Sequence, residues 1–421
     1  MHHRLLIISN SVLSHTRGNG KTILSFFDTL PKECIRQLYF SGEVPGVSGY
    51  KYYQLSDYDI LRGLLNQNKR GRSFDSVTND IEISTYSYRS NKIKTPFFRL
   101  ARELLWYNKW KSNQLLRWLD EFNPTNIFFV GGDSIFAYDI CEYITNKYNA
   151  RLSLFLTDDY VLPRKNESFL YSIRRKLITH KMRKCINKAD VFFSISEQMR
   201  KEYKKMFGKD SITVVNMTDS LENEKLKTNE ERENTRLVYA GGLYYGREDV
   251  ISKLAQAIEK YNKLNPEKKA ELRIYTNLAP IKEVLNKIEI KEISTYCGSL
   301  TPSQLALELN NADILVFVES FDDSQIEKTR LSLSTKISEY LSLGKPILAI
   351  GPSIVGSIDY LSDVAACAYN VSEIDSVLNI LLNNIEYQRA LGLKAKKKYY
   401  NKHNKSIIQK EIVDSVFGGE L

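Results

Sequence analysis

Short apolar runs alternate with stretches of helical periodicity along almost the whole chain. Leu5–Ser9, Arg36–Phe40, Asn126–Val130, Leu152–Thr157, Val191–Ile195 and Thr213–Val215 have strand length and too little alternation for a one-sided sheet. They are read as buried strands. Helical patterns lie between them: one after Gly20, a long one from Pro96 to Phe122, one over Ser134–Tyr148 and one over Ser168–Lys188. This alternation predicts an α/β fold with a parallel, doubly wound sheet.

Between Asn216 and Asn234 the pattern stops, and Glu, Asn and Lys replace core-forming residues. Such a stretch predicts an interdomain linker. The alternation then restarts with Leu237–Ala240, Glu271–Tyr275, Ser294–Cys297, Ile314–Val318 and Pro346–Ile350. From Glu386 to Val416 the pattern is helical almost throughout. The expected organisation is a domain over 1–216, a linker over 217–234, a second α/β domain over 235–385, and a helical segment over 386–421 that returns to the first domain.

Bulk properties agree with this division. A chain of 421 residues suits two domains of about 200 residues each. With 43% hydrophobic and 26% charged residues, it is globular in composition. No apolar run reaches the roughly 18 residues that span a bilayer. Leu5–Ile8 is too short for a signal-peptide core and leads into Ser9-Asn10-Ser11 without a small-residue cleavage site. The expectation is a cytoplasmic protein. Cys34, Cys141, Cys185, Cys297 and Cys367 are scattered, without metal-ligand or CxxC spacing, as expected of reduced thiols. No metal site is expected.

The net charge of +10 is unevenly placed. Between Arg164 and Lys188 nine basic residues face one acid, Glu167. Such a run asks for an anionic partner: nucleic acid, an anionic membrane surface or a phosphorylated acceptor. Phe169, Leu170, Ile173, Leu177, Ile178 and Met182 follow helical spacing within it, so one face is expected to be core.

The most informative segment is STKISEYLSLGKPILAIGP, from Ser334 to Pro352. A loop ends at Ser334-Thr335, a short helix runs from Lys336 to Leu343, Gly344 stops it, and a strand follows. This puts the amides of a helix N-terminus at the strand ends of the second domain, where they can bind phosphate. Glu339 sits one turn inside. A capping box would need Ser or Thr three residues earlier, and that position is Lys336. A carboxylate one turn inside such a helix is suited to accept hydrogen bonds from two ribose hydroxyls.

This segment resembles the donor-side motif of family-4 glycosyltransferases, in the variant of bacterial capsule and surface-polysaccharide enzymes. The resemblance implies two Rossmann-like doubly wound domains facing a cleft, the GT-B fold, with acceptor bound by the first domain and nucleotide-sugar donor by the second. It implies that Ser334, Thr335 and Lys336 meet the donor diphosphate and that Glu339 holds the ribose. The family pattern has a second acid eight residues before this Glu, where this chain has Leu331. The acid beside the transferred sugar is thus missing.

Leu237–Arg247 agrees with the resemblance. A strand enters the loop Gly241-Gly242-Leu243-Tyr244-Tyr245-Gly246, whose glycines allow close backbone approach. In family-4 enzymes this place holds two basic residues about five positions apart. Arg247 matches the second, and Gly242 replaces the first. Arg suits a diphosphate because it is always charged and forks onto two oxygens. Gly298 and Ser299, after the strand ending at Cys297, match the loop that packs on the base.

In the first domain, Gly18-Asn19-Gly20-Lys21 is not a phosphate loop of the Walker type, because His15 stands where that motif needs Gly. It matches the Gly-rich loop that faces the acceptor. Asp158 and Asp159 end a buried strand and are candidates for orienting or deprotonating the acceptor hydroxyl. Arg174, Arg175, Lys176, Lys181, Arg183 and Lys184 are candidates to face an anionic membrane or lipid-linked acceptor. Family-4 enzymes usually retain anomeric configuration and generally need no metal, since helix dipoles and cations stabilise the leaving diphosphate. No cofactor is expected. Asp322-Asp323 lacks the context of a metal pair. Two other readings stay open: a sugar-nucleotide epimerase of the same fold, and a basic nucleic-acid binder, for which the stacking pattern of aromatics and cations is missing.

Overall fold

The computed structural model describes residues 3–15, 18–64, 70–74, 95–221 and 234–419. Most of the polar stretch read as a linker, 222–233, lies outside them. The chain divides into two compact units, Met1–Val214 with Ser406–Leu421, and Val215–Lys405.

The first unit contains β1 (Leu5–Ser9), β2 (Ile35–Tyr39), β3 (Lys51–Gln54), β4 (Arg72–Phe74), β5 (Asn126–Gly131), β6 (Arg151–Leu156), β7 (Val191–Ser194) and β8 (Ile212–Thr213), ordered β4-β3-β2-β1-β5-β6-β7-β8. Seven of these strands are parallel, and β4 runs antiparallel on β3. The strand order reverses direction between β1 and β5. Both strands are buried throughout, as the unbroken apolar runs predict. Phe26 and Phe27, from the helix Gly18–Phe27, meet Phe128 of β5 edge to face at 6.1 and 4.9 Å. Such contacts add to the area that the rings bury.

The second unit contains β9 (Thr235–Ala240), β10 (Ala270–Tyr275), β11 (Ser294–Tyr296), β12 (Ile314–Val318), β13 (Ile347–Ile350) and β14 (Ala366–Ala368), ordered β11-β10-β9-β12-β13-β14 and parallel throughout. The reversal here lies between β9 and β12. Leu237, Val316, Leu348 and Ile350 pack with Ile251, Leu254 and Ile258 of the helix Arg247–Leu264 in one buried cluster.

Three strands escape the sequence reading: β3, β4 and β14. Each is short, and the segments KYYQ and RSF lack an apolar run. The long helix expected over Pro96–Phe122 is two helices, Pro96–Trp106 and Asn113–Phe122. Asn108 adopts a left-handed φ of +53° between them, and the Ser112 hydroxyl caps the second by accepting from Leu115 N–H at 3.2 Å. The C-terminal helical stretch is likewise split, into Ile385–Lys402 and Lys405–Phe417. The former packs on the second unit, where Lys396 Nζ donates to Ser342 O at 2.6 Å. The latter returns to the first, where Gln409 Nε2 donates to Asp28 Oδ1 at 2.6 Å.

His403 sits at that break, fully buried. Its Nδ1 lies 2.7 Å from Asn216 O, its Nε2 lies 2.9 Å from Tyr360 Oη, and its backbone oxygen accepts from Thr218 N–H. The ring thereby ties the entry of the second unit to its exit. Burial holds the imidazole pKa down at about 4, so the ring is neutral when folded. The unfolded ring binds its proton first as pH falls below about 6.5, and the stability of the folded form declines from there toward pH 4. His403→Gln is expected to lower the Tm at neutral pH through lost hydrogen bonds. Near pH 5 the parent carries a penalty of about 2 kcal/mol that the variant lacks. The Tm gap between the two should therefore narrow between pH 7 and pH 5, and a constant gap by scanning calorimetry would contradict this role.

Candidate functional site

The carboxyl ends of β9 and β12, where the strand order of the second unit reverses, bring together three charged side chains. In open α/β sheets this is where ligands bind. Arg247 opens the helix after β9. Its Nη2 donates to Glu319 Oε2 at 2.9 Å and Oε1 at 3.0 Å, and its Nε donates to Oε2 at 3.2 Å. Glu319 follows β12, is 3% exposed, and is anchored by its own N–H on Ile350 O at 2.8 Å. Lys336 opens the helix Lys336–Leu343.

The loop geometry makes room for these groups. A Cβ on Gly241 would overlap the Tyr239 hydroxyl and lie 2.8 Å from Lys336 Nζ. Gly246 has φ +74°, and a Cβ there would meet Ser320 Oγ. Tyr245, just before it, holds the left-handed region at φ +63°, a conformation that costs energy in a residue of this size. The Tyr244 ring lies 5.6 Å from the Arg247 guanidinium.

The helix that carries Lys336 is fixed from below. The buried Tyr340 hydroxyl accepts from Ala240 N–H of β9 at 3.2 Å and donates to Val316 O of β12 at 3.3 Å. Gly344 ends the helix with φ +63°, as its place in the sequence predicts. The Thr335 side chain makes no cap. Ser334 differs from expectation: its N–H donates to Ser357 Oγ at 3.1 Å. Thr335 is the N-cap residue, and Lys336 begins the helix.

The electrostatics follow from the geometry. Burial raises the Glu319 carboxyl above the usual carboxylate range, against the opposing pull of Arg247 and Lys336. Burial and the neighbouring Arg247 bring the Lys336 ammonium down to about 8, against Glu339 and Glu319, which favour its charge. Two cations thus surround one buried anion, with Glu339 one helical turn further in. Leu331, which stands where the family pattern has an acid, is 3% exposed and buried. Gly298 has φ +87° with open space around it, and Ser299 is exposed.

In the first unit, the reversal between β1 and β5 gathers a second, polar set. Gly18 takes φ +39° and starts the helix, and a Cβ on Gly20 would overlap Val12 O. Asn19 Nδ2 donates to Thr157 Oγ1 after β6 at 3.3 Å, and Lys21 is exposed. Asp158 is half-buried and accepts from Tyr160 Oη at 3.2 Å. Asp159 serves the fold: its Oδ1 accepts from Val161 N–H and Leu162 N–H, each at 3.0 Å, and from Tyr203 Oη at 3.3 Å.

The basic helix Phe169–Lys188 departs most from expectation. Arg174 is 5% exposed, turned inward toward Asp133 O, and 3.8 Å from Glu103. Arg175 pairs with Glu167 at 2.7 Å, and Lys181 pairs with Asp139. Lys176, Arg183 and Lys184 stay exposed. The outward cationic set is thus half of what the sequence suggests, because distant acids (Glu103, Asp133, Asp139) claim Arg174 and Lys181 and the nearby Glu167 claims Arg175.

No protein-family model and no curated relative matches the sequence. Solved structures do match over nearly the whole chain. The chain is similar to Anabaena Alr3699/HepE, solved in complex with UDP-glucose, at 12% identity and TM-score 0.58, covering 99% of this chain and 100% of that one. It is similar to the α,α-trehalose 6-phosphate synthase of Burkholderia multivorans at 12% identity and TM-score 0.63, covering 99% and 98%. The E. coli trehalose-6-phosphate protein bound with UDP-2-fluoro glucose is similar at 12% identity and TM-score 0.62, covering 99% of each.

The chain has the GT-B fold.

Within this GT-B chain, the structure brings Gly241, Arg247, Lys336 and Glu339 to one sheet end and keeps Gly18, Asn19, Gly20 and Asp158 in the other unit. Glu319 was not singled out in the sequence. The available signal is an acid ending a fully apolar strand, much as the pair Asp158-Asp159 ends another.

Lys336 generates a prediction. Its ammonium is charged below about pH 8 and loses its proton above it, so binding of a phosphorylated anion should weaken as pH rises from 7 to 9. Calorimetry with a nucleoside diphosphate near pH 8 should show proton uptake on binding, read from buffers of different ionisation enthalpy. Lys336→Met should abolish the uptake. Uptake that persists in the variant would assign the titration elsewhere.

Proposed function

We propose that the protein is a glycosyltransferase that moves a hexosyl group from a nucleotide-sugar to a hydroxyl of a glycan or lipid-linked saccharide. The observation that carries this is the convergence of Arg247, Lys336 and a helix N-terminus on the switch point of the second sheet, in a fold shared with proteins solved with UDP-glucose and its fluoro analogue. Cations and amides so placed meet a diphosphate whose charge grows as the glycosidic bond breaks.

In this reading Glu339 holds the donor ribose, and Gly298 and Ser299 border the base. The bond from the anomeric carbon to the diphosphate oxygen breaks, and its electron pair stays on the diphosphate, facing Arg247 and Lys336. The acceptor oxygen forms the new bond, oriented by Asp158, and its proton passes to the departing diphosphate. Retention of configuration is supported by a neighbour, trehalose-6-phosphate synthase, studied for glycosyl transfer with retention. The motif from Ser334 to Pro352, similar to that of family-4 capsule enzymes, supports a place in surface-polysaccharide synthesis. We place the enzyme in the cytoplasm, with its lipid-linked acceptor at the inner membrane face. Among the described residues no helix is long and apolar enough to cross a membrane. The diphosphate charge is met by side chains and amides, so the reading includes no metal, no organic cofactor and no nucleic-acid partner.

Turnover of the preferred nucleotide-sugar, found by a thermal-shift screen of donors, tests the reading. Arg247→Ala should lower kcat about 100-fold, in the range of losing one preorganised charge. Glu339→Gln should stay folded and weaken donor binding, and EDTA should leave the parent's rate unchanged. Parent-like kinetics in both variants, or a rate lost to EDTA and restored by magnesium or manganese, would overturn the assignment.

A further inference from the structure

The helix Pro96–Trp106 is built inside out. In an ordinary surface helix the apolar stripe faces the core and the charges face water. Here the charged residues Arg99, Arg102 and Glu103 face the protein. Arg99 pairs with Asp133 at 2.5 Å, and Arg102 pairs with Asp57 at 2.7 Å. Glu103 accepts from the N–H groups of Ile135 and Phe136 at 3.0 and 2.9 Å, at the start of the helix Ile135–Tyr148. The opposite stripe is apolar and open: Phe97 is 63% exposed, Phe98 59% and Leu104 77%.

The neighbouring helix Phe169–Lys188, joined to it through Arg174 and Glu103, buries Ile178, Met182, Cys185 and Ile186 but shares the arrangement toward its start. Its basic residues Arg174 and Arg175 are taken inward, while Phe169 is 79% exposed and Leu170 and Leu177 also lie open. Those three were expected in the core, and only Ile178 and Met182 of that stripe are buried. Lys176, Arg183 and Lys184 flank the exposed apolar residues, and no Asp or Glu occurs anywhere in this helix.

We infer that these two helices form a docking face for an anionic lipid bilayer. Exposed aromatic and leucine side chains in helical stripes insert at the headgroup boundary, and the lysines beside them meet the anionic headgroups. The exposed charged side chains of the two helices, Lys176, Arg183, Lys184 and Lys188, are all cationic, which complements anionic headgroups. The inference goes beyond the catalytic reading and does not depend on it, because lipid binding is measured without donor or acceptor.

The test is co-sedimentation of the full chain with vesicles of phosphatidylcholine alone and of phosphatidylcholine with phosphatidylglycerol. The parent should bind the anionic vesicles, and binding should weaken with salt. The variant Phe97→Ser, Leu104→Ser, Phe169→Ser, Leu177→Ser changes only exposed positions outside the ion pairs. It should keep the parent's Tm and lose about tenfold or more in vesicle partitioning. Lys176→Ser with Lys184→Ser should weaken binding to anionic vesicles alone. Equal sedimentation of parent and apolar variant would overturn the inference. So would a parent that is dimeric by light scattering and becomes monomeric in the variant, which makes the face a contact between copies. Loss of RNA binding in the lysine variant, with lipid binding intact, would assign the cations to nucleic acid.

Discussion

The second unit is organised around one buried ion pair, Arg247 with Glu319. Carrying both charges out of water costs several kcal/mol per ion, and good geometry only offsets it. Such a pair is weak evidence for stability and better evidence for function. The pair spans the two strands between which the sheet order reverses, and a second cation, Lys336, stands beside it. Glu319 takes up part of the charge of both cations, and Glu339 lies one helical turn further in. The rest of the unit serves this placement: Gly241 leaves room for Lys336, Gly246 turns the chain so that Arg247 starts its helix, and Tyr340 pins the Lys336 helix to β9 and β12.

Much of this was legible in the sequence where the signal is local. The strands Leu5–Ser9 and Ile314–Val318 and the helix Lys336–Leu343 have the boundaries their apolar runs and terminating glycine predict. β3, β4 and β14 were not legible, since partner strands, not their own composition, make them strands. The break at Asn108 was written locally, in Ser112-Asn113 as a cap, but the helical periodicity on both sides outweighed it. Glu319 was marked only by its place after an apolar strand, and its partner, 72 residues away, was not legible.

The same limit explains the basic helix. A charge run predicts a cationic face only if no acid elsewhere in the chain reaches it. Glu103 and Asp133 reach Arg174, and Asp139 reaches Lys181. Periodicity likewise assigned Phe169, Leu170 and Leu177 to the core because apolar spacing says that a helix has two faces and not which one points inward. Ion pairs draw Arg174, Arg175 and Lys181 toward the side that buries Ile178, Met182, Cys185 and Ile186, and Phe169, Leu170 and Leu177 stay exposed.

The central claim is that the Arg247–Glu319–Lys336 cluster is a diphosphate site held in place before its ligand arrives. Calorimetric titration of a panel of nucleoside diphosphates, each against its parent nucleoside, addresses it most directly. The account predicts that for one base the diphosphate binds about tenfold or more tighter than the nucleoside, in line with charge-assisted hydrogen bonds to two cations. It also predicts that the gap closes in Arg247→Ala while nucleoside binding persists. Equal affinity of diphosphate and nucleoside in the parent, or a gap untouched by Arg247→Ala, would contradict it.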